Sequence, residues 1–294
     1  MHLLITGSNG QVGNELQAIA AEFPDFSFVW TDYLELDITD ATAVNNFFEV
    51  NKFDACLNCA AYTAVDKAES EPERAIAINV TGAQNLANAC AAHRAYMIHI
   101  STDYVYHNHH QNTPFEEGDP TSPQGVYAQT KLDGDFAVLA ANPNQSIVLR
   151  TSWVYSSFGH NFVKTMLKLG TERTELRVIY DQIGTPTYAR DLARAMLCIL
   201  QKVRNGQVSP DTMRGQIYHY SNEGVGSWYD FTRAIFYLAG ITTCQVLPIR
   251  TTQYPTPAQR PPFSLLDKTK IKNTFGLDIP YWVSSVRECI DLLK

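Results

Sequence analysis

The chain has 294 residues, of which 45% are hydrophobic and 18% are charged, as is typical of a globular protein. Its formal net charge of -7 argues against a nucleic-acid or membrane-surface binder, because either task favours a basic face. The opening MHLLITGSNG lacks the basic segment and long apolar run of a signal peptide. No apolar run has the length of a transmembrane helix, so we expect a cytoplasmic protein.

Short apolar segments alternate with amphipathic ones through the first half of the chain. This pattern predicts strands at residues 2–6, 26–32, 55–60, 96–101 and 146–155. It predicts helices at residues 11–23, 39–51, 71–93 and 126–141. Near-continuous apolar strands that alternate with helices indicate a parallel sheet covered on both faces. We therefore predict an α/β fold with a Rossmann-type, doubly wound parallel sheet.

The second half is less regular. Helices are predicted at residues 162–172, 188–203, 227–240 and 283–294, and strands at 176–181 and 215–221. We expect residues 1–155 to form a dinucleotide-binding domain. Residues 156–294 are expected to form mainly a smaller C-terminal α/β substrate lobe, with some segments returning to the first domain.

A glycine-rich turn lies between the first strand and the first helix. Gly7, Gly10 and Gly13 form a GxxGxxG pattern, and small residues there let the backbone approach a pyrophosphate. Free N–H groups at the helix start meet the negative charge of that group. Asp32 ends the second strand, where a carboxylate accepts hydrogen bonds from the adenosine ribose. Together these features predict a dinucleotide cofactor.

Two further segments follow strands at the edge where such ligands bind. Asp37 and Ile38 come after strand two and are expected to border the adenine. The stretch Ala60-Ala61-Tyr62-Thr63 follows strand three, and its alanines permit close approach of the cofactor, although helix packing would also explain them.

The choice between NADH and NADPH depends on Asp32. The 2′-phosphate of NADPH would meet its negative charge, and that repulsion is commonly relieved by a nearby Arg or Lys. No cation occurs at Ser8, Asn9 or residues 33–35. We therefore predict that NADH is preferred, and that NADPH is accepted if Asp32 turns toward solvent.

The stretch GVYAQTKLDGD carries the predicted reacting centre. Tyr127 and Lys131 are one helical turn apart, and an ammonium beside a phenol favours ionisation of that phenol. Thr102 ends strand four, so its hydroxyl is expected beside them. A hydroxyl, a phenol and an amine next to a nicotinamide are the groups needed to reduce a ketone. Thr102 would hold the carbonyl oxygen, Tyr127 would protonate it, and Lys131 would stabilise the tyrosinate.

Two other patterns do not predict a metal or redox site. Cys56 and Cys59 form a CxxC, but they lie in an apolar strand without a second such pair. His107, His109 and His110 lie in a Pro- and Asn-rich loop without companion ligands. We therefore predict no metal and interpret these side chains as core thiols and solvated loop histidines.

Several longer segments together resemble the extended short-chain dehydrogenase/reductase superfamily and, within it, the dTDP-4-dehydrorhamnose reductase family. They include GSNGQVGNEL, NCAAYTAVDKAESE, STDYVY, RTSWVY, NFVKTML and RPPFSLLDKTKI, and they span nearly the whole chain. The resemblance implies reduction of the 4-keto group of dTDP-4-dehydro-L-rhamnose to dTDP-L-rhamnose, with Tyr127 as proton donor and Thr102 and Lys131 as partners. It implies that the cofactor is held by Gly10, Gln11, Val12, Asp32, Asp37, Ile38, Ala61, Tyr62, Thr63, Tyr127 and Lys131. The substrate would contact Thr102, Asp103 and Trp153.

The chain departs from the family pattern at three places. Ala128 replaces a usual Gly, Tyr62 replaces a frequent His, and HNHH replaces the usual DG turn after STDYV. Two alternatives stay open from the sequence: a reductase of another 4-keto-6-deoxy nucleotide sugar, and a non-catalytic regulatory subunit on the same fold. A dehydratase or epimerase is the nearest enzymatic rival, but dehydration is disfavoured because Tyr104 stands where dehydratases carry an acidic residue, and a phenol of ordinary pKa is a poor base. A homodimer is one assembly that the sequence leaves open.

Overall fold

The computed structural model describes residues 1–107 and 112–294. His109 and His110, which were interpreted as loop histidines, lie outside the described residues. The strands are β1 (His2–Thr6), β2 (Ser27–Thr31), β3 (Ala55–Asn58), β4 (Tyr96–Thr102), β5 (Ser146–Thr151), β6 (Val154–Tyr155), β7 (Glu175–Ile179), β8 (Ile183–Gly184), β9 (Thr187–Tyr188), β10 (Arg214–His219), β11 (Gly226–Ser227) and β12 (Gln245–Ile249). The helices are α1 (Gln11–Ile19), α2 (Ala41–Asn51), α3 (Val65–Ala68), α4 (Pro72–Ile76), α5 (Ala83–His93), α6 (Gly125–Ala141), α7 (Phe162–Glu172), α8 (Ala189–Arg204), α9 (Trp228–Ala239), α10 (Thr269–Phe275) and α11 (Trp282–Asp291).

A parallel sheet of six strands forms the centre of the molecule. Its order is β2-β1-β3-β4-β5-β10, and every neighbouring pair is parallel. The order reverses between β1 and β3, and ligands of such folds bind outside the carboxyl ends of the strands at this reversal. The predicted Rossmann-type, doubly wound α/β fold is confirmed. The sixth strand, β10, comes from the second half of the chain.

Helices cover both faces of the sheet. On one face, apolar side chains of α1, α8 and α10 form a core cluster with the strands. On the other face, α2, α5 and α6 form a second cluster. A third cluster joins α7, α9 and α11 with β6, β7, β9 and β12. Within the described ranges, no helix has both the length and the apolar character needed to cross a bilayer.

Two predicted elements are interrupted in the structure. The helix predicted over 71–93 is divided into α4, a π-helical turn (Ala77–Gly82) and α5. Asn79 lies in this turn and is buried, and its side chain bonds the backbone N–H and carbonyl of Tyr62 at 2.8 and 3.2 Å. The strand predicted over 146–155 ends at Thr151, because Trp153 has a left-handed backbone conformation with φ 48°. Neither feature follows from hydrophobic periodicity.

A buried carboxylate of α1 holds the segment after β6 and the start of α8. Glu15 of α1 accepts a hydrogen bond from Ser156 Oγ at 2.6 Å and pairs with Arg190 of α8 at 2.7 Å. Because Glu15 is fully buried, these partners supply the hydrogen bonds that water would otherwise give it. The chain that leaves β6 is thereby held over the start of α1.

The packing of α6 on the π-helical turn predicts the effect of Gly134→Ala. A Cβ at Gly134 would collide with the backbone carbonyl oxygen of Asn79. We expect the variant to lose about 1–3 kcal/mol of unfolding free energy, although Ala favours helix more than Gly does. Urea denaturation measures it. Gly118→Ala is the control, because within the described chain nothing lies within 4 Å of its added methyl group. An unchanged or increased stability of Gly134→Ala would contradict the close approach.

Candidate active site

A crevice opens at the carboxyl ends of β1, β3, β4 and β5. Its volume is about 1150 Å³. The predicted site residues that line it are Gly7, Gly10, Gln11, Val12, Asp32, Asp37, Ile38, Ala61, Thr63, Thr102, Asp103, Tyr127, Lys131 and Trp153. Two predicted residues are not in the lining. Gly13 packs behind Gly7 inside α1, and the phenol of Tyr62 donates to Glu71 at 2.9 Å.

The glycine turn forms one end of the crevice. Gly7 has φ +64°, and a Cβ there would lie 2.7 Å from the backbone nitrogen of Ala60. Glycine is therefore required both by backbone conformation and by space. Gly10 is the N-cap of α1 and has no side chain, so among the described residues no side-chain cap covers the first N–H groups of this helix. This arrangement fits the pyrophosphate of a dinucleotide.

The carboxylate of Asp32 is fixed at the rim of the crevice. It accepts hydrogen bonds from the backbone N–H groups of Asn9 at 3.0 Å and Tyr33 at 2.8 Å. The side chain of Glu35 in turn accepts from the backbone N–H of Asp32 at 2.9 Å. Arg74 also lines the crevice, and this cation was not identified from the sequence because it lies on α4, far along the chain from the glycine turn.

Burial keeps the phenol of Tyr127 protonated. It raises the pKa of Tyr127 to about 12, and a hydrogen bond with the Thr102 side chain opposes this only in part. The ring meets that of Tyr104 edge-on, with centroids 5.6 Å apart. The net shift of this pKa is upward, so desolvation determines it, and the effect of the Lys131 ammonium on the phenol stays a prediction. A protonated phenol is the form that can donate a proton.

The amine of Lys131 lies beneath the crevice and is almost fully buried. Its Nζ donates to the backbone carbonyl of Ile100 at 2.7 Å and lies 3.4 Å from Nε2 of His99. Burial lowers the pKa of Lys131 to about 8, and the nearby carboxylate of Asp135 acts in the opposite direction. The ammonium of Lys131 is consequently less stable than that of an exposed lysine.

Asp103 presents an unusual carboxyl group to the crevice. Its Oδ1 accepts from Thr102 Oγ1 at 3.2 Å, whereas its buried Oδ2 has no hydrogen-bond partner in the described part of the chain. Burial raises the pKa of Asp103 to about 7, and the hydroxyl of Ser264 opposes this shift. The carboxyl group thus changes its charge close to neutral pH.

Aromatic rings also line the crevice. Trp153 stacks on Trp228 of α9, with centroids 3.8 Å apart and planes inclined by 12°. Phe162 packs on the Trp228 ring at 4.7 Å. His160 and Asn161 also line the crevice, and Asn161 caps α7 by accepting from the N–H of Lys164. Apart from Trp153, sequence reasoning missed these residues. The available signal was Asn161 directly before the predicted helix at residues 162–172, because Asn is a preferred N-cap residue.

Three comparisons with known proteins found similarity to the same family. A family model described as the RmlD substrate binding domain matches residues 1–294. The dTDP-4-dehydrorhamnose reductase of Sinorhizobium fredii is 41% identical over 293 residues, which are 99% of this chain and 97% of that protein. A crystal structure of the dTDP-4-dehydrorhamnose reductase of Clostridium acetobutylicum is 41% identical, has a TM-score of 0.90 and covers 100% of this chain and 99% of its own. The Bacillus anthracis dTDP-4-dehydrorhamnose reductase, solved in complex with NADP, is 34% identical with a TM-score of 0.88, covering 99% of this chain and 98% of its own.

The buried carboxyl of Asp103 predicts a pH-dependent loss of stability. A carboxyl whose pKa is raised by folding stabilises the native state below its unfolded pKa of about 4, and this contribution is lost as pH rises through about 7. We therefore expect Asp103→Asn to gain stability relative to the unsubstituted protein between about pH 4 and pH 8. Denaturant unfolding at both pH values measures the difference. Asp278→Asn, at an exposed carboxyl, is the control, and a pH-independent difference for Asp103→Asn would contradict the burial argument.

Proposed function

The chain belongs to the dTDP-4-dehydrorhamnose reductase family, and from this we propose that it reduces the 4-keto group of dTDP-4-dehydro-L-rhamnose to give dTDP-L-rhamnose. The observation that carries the proposal is the 41% identity over 99% of the chain with a reductase of that name. The presence of Thr102, Tyr127 and Lys131 in one crevice supports it further. The substrate class is a dTDP-4-keto-6-deoxy-L-sugar.

The chemistry divides between the cofactor and the side chains. When bound, a reduced nicotinamide supplies the hydride that reaches the carbonyl carbon. Tyr127 donates its phenolic proton to the carbonyl oxygen as negative charge develops there, and Thr102 hydrogen-bonds the same oxygen. Lys131 then stabilises the phenolate of Tyr127. These three side chains are the proposed catalytic residues.

The cofactor and the sugar would contact different sets of side chains in the crevice. The proposed cofactor residues are Gly7, Gly10, Gln11, Val12, Gly13, Asp32, Asp37, Ile38, Ala61, Tyr62, Thr63, Tyr127 and Lys131. On the substrate side, Asp103 would hydrogen-bond sugar hydroxyls and Trp153 would offer a flat apolar face. The stack of Trp153 on Trp228 supports this role, because it holds that face in one orientation.

We propose that the protein prefers NADH and also accepts NADPH. Asp32 supports NADH, because its carboxylate would accept from both ribose hydroxyls and repel a 2′-phosphate. The Bacillus anthracis relative was solved with NADP, which supports acceptance of the phosphorylated form. Arg74 is the cation in this crevice that would favour a phosphate.

A dehydratase reaction fits this site less well. It requires an acidic side chain and a base after the catalytic Thr, and the second of those places holds Tyr104. Burial raises the pKa of the Tyr104 phenol above its ordinary value, which makes it a poor base. Two other functions are a reductase of another 4-keto-6-deoxy nucleotide sugar and a regulatory subunit. An assay of the purified protein on the dTDP-linked ketone distinguishes both from the proposed reductase.

The domain division, the cellular compartment and the oligomeric state are also proposals. We place the substrate lobe mainly at residues 156–294, with β10 and α8 returning to the central sheet, which the pairing of β10 with β5 supports. A cytoplasmic location is supported by the six free cysteines, because thiols stay reduced in that compartment. A homodimer stays a prediction, and light scattering on the purified protein tests it.

Replacement of Tyr127 by Phe tests the proposed acid. Because a positioned proton donor contributes about 10²–10⁴-fold, we expect kcat to fall within that range while the Kd for the cofactor changes little. Nicotinamide absorbance follows turnover, and cofactor fluorescence follows binding. Tyr104→Phe is the matched comparison, because it removes the adjoining phenol and should cost far less. Near-normal turnover of the Tyr127→Phe variant would exclude this phenol from the mechanism.

Substitution of Asp32 tests the basis of cofactor choice. We expect a higher kcat/KM with NADH than with NADPH, and we expect Asp32→Ala to narrow or invert that ratio because it removes the repelling charge. Arg74→Ala should lower kcat/KM with NADPH alone if that guanidinium reaches the phosphate. A ratio unchanged by Asp32→Ala would mean that this carboxylate does not meet the ribose.

A further inference from the structure

A row of buried polar side chains crosses the sheet below the reacting centre. Thr6 of β1, Asn58 of β3 and His99 of β4 are partners in the strand register, so they lie side by side on one face. Thr6 Oγ1 donates to Asn58 Oδ1 at 2.8 Å, and Asn58 Nδ2 lies 2.9 Å from His99 Nδ1. All three side chains are only 1% exposed. The row ends at Lys131 Nζ, 3.4 Å from His99 Nε2.

The backbone fixes the direction of these hydrogen bonds. The N–H of Ala60 lies 3.2 Å from Asn58 Oδ1, and a backbone N–H can only donate. The amide of Asn58 is therefore oriented with its NH₂ toward His99, and it donates to Nδ1. A neutral imidazole carries one proton, which must then be on Nε2. His99 consequently points an N–H, and not a lone pair, at Lys131.

This arrangement opposes the ammonium form of Lys131. An ammonium has three donors and no acceptor, so it meets the Nε2–H of His99 donor to donor. A neutral amine has a lone pair that accepts this N–H, while its own N–H still donates to Ile100. Protonation of His99 does not remove the conflict, because burial and then Lys131 hold the pKa of this imidazole well below its usual value.

Other charged or titratable groups also face this pair. The carboxylate of Asp135, on the same helix as Lys131, favours the ammonium, but Arg150 of β5 pairs with it at 3.1 Å. The other titratable side chains that line the crevice are Tyr127, Asp103, Tyr104, Cys59, Asp32, Tyr33, Asp37, Arg74 and His160. The polar row opposes the positive charge of Lys131 through the direction of its hydrogen bonds, because it presents the Nε2–H of His99 to the ammonium.

We propose that Asn58 and His99 are positioning residues that set the upper pH limit of the reaction by presenting an N–H to Lys131. This rests on the proposed reductase function, in which the ammonium stabilises the phenolate of Tyr127. Turnover then falls as pH rises and Lys131 loses its proton. The order of donors along the row determines where that loss occurs.

Nitrogen NMR of protein with isotope-labelled histidine tests the first step without any assay of activity. The His99 signals, identified by their absence in His99→Gln, should show a proton on Nε2 and none on Nδ1. In Asn58→Asp the new carboxylate accepts at this position, so the proton should move to Nδ1. A wild-type His99 with its proton on Nδ1 would overturn the proposal, whether or not the protein is a reductase.

The pH dependence of kcat/KM tests the consequence. For the unsubstituted protein we expect activity to decline above about pH 8, in line with burial lowering the pKa of Lys131. Asn58→Asp turns Nε2 into an acceptor, so the decline should move upward by about one pH unit or more.

The control for this shift is Asn142→Asp. It adds a carboxyl at another buried asparagine, whose side chain bonds the carbonyl of Ala95 before the amino end of β4. Its profile should match that of the unsubstituted protein. Equal profiles for all three proteins, or equal shifts in both variants, would overturn the proposal. If Asn58→Asp does not fold, the wild-type NMR spectrum still decides the direction of the row.

Discussion

The parallel register of β1, β3, β4 and β5 is the constraint on which the site depends. Because these strands run in the same direction, the residues that follow them meet at one edge of the sheet. Thr102 pairs with Thr151 there, and Gly7, Cys59 and Asp103 follow their strands directly. A shift of one residue would turn every strand side chain to the opposite face. The buried polar row Thr6–Asn58–His99 exists only in this register.

The helix that carries Tyr127 and Lys131 is fixed from below by polar contacts. Asp135, on the buried face of α6, pairs with Arg150 of β5, and Arg150 donates to the phenol oxygen of Tyr106 at 2.7 Å. The phenol oxygen of Tyr106 in turn lies 2.8 Å from His219 Nε2 of β10. Such groups are costly to bury singly, but each partner here offsets the desolvation of the next. The reacting centre is therefore supported from below by side chains of β5 and β10, joined through Tyr106.

The parts of the site that lie directly after strands could be predicted from the sequence. Gly7, Asp32 and Thr102 are of this kind, since apolar runs reveal where strands end. Trp228 and Arg74 could not be predicted in the same way, because they approach the crevice from helices whose docking depends on tertiary packing. His99 was hidden for another reason. A single histidine in the apolar run YMIHIS resembles a core residue, and only the register identifies its neighbours.

Burial favours the uncharged form of both Tyr127 and Lys131. It raises the pKa of Tyr127 to about 12 and lowers the pKa of Lys131 to about 8, so in both cases it favours the uncharged form. A phenol with such a pKa stays protonated throughout the working range and cannot limit activity there. The pH response of the site must then come from groups that titrate nearer neutrality. Lys131 and Asp103 are two such groups in this crevice, so the side chains that face them govern the response more than the acid itself does.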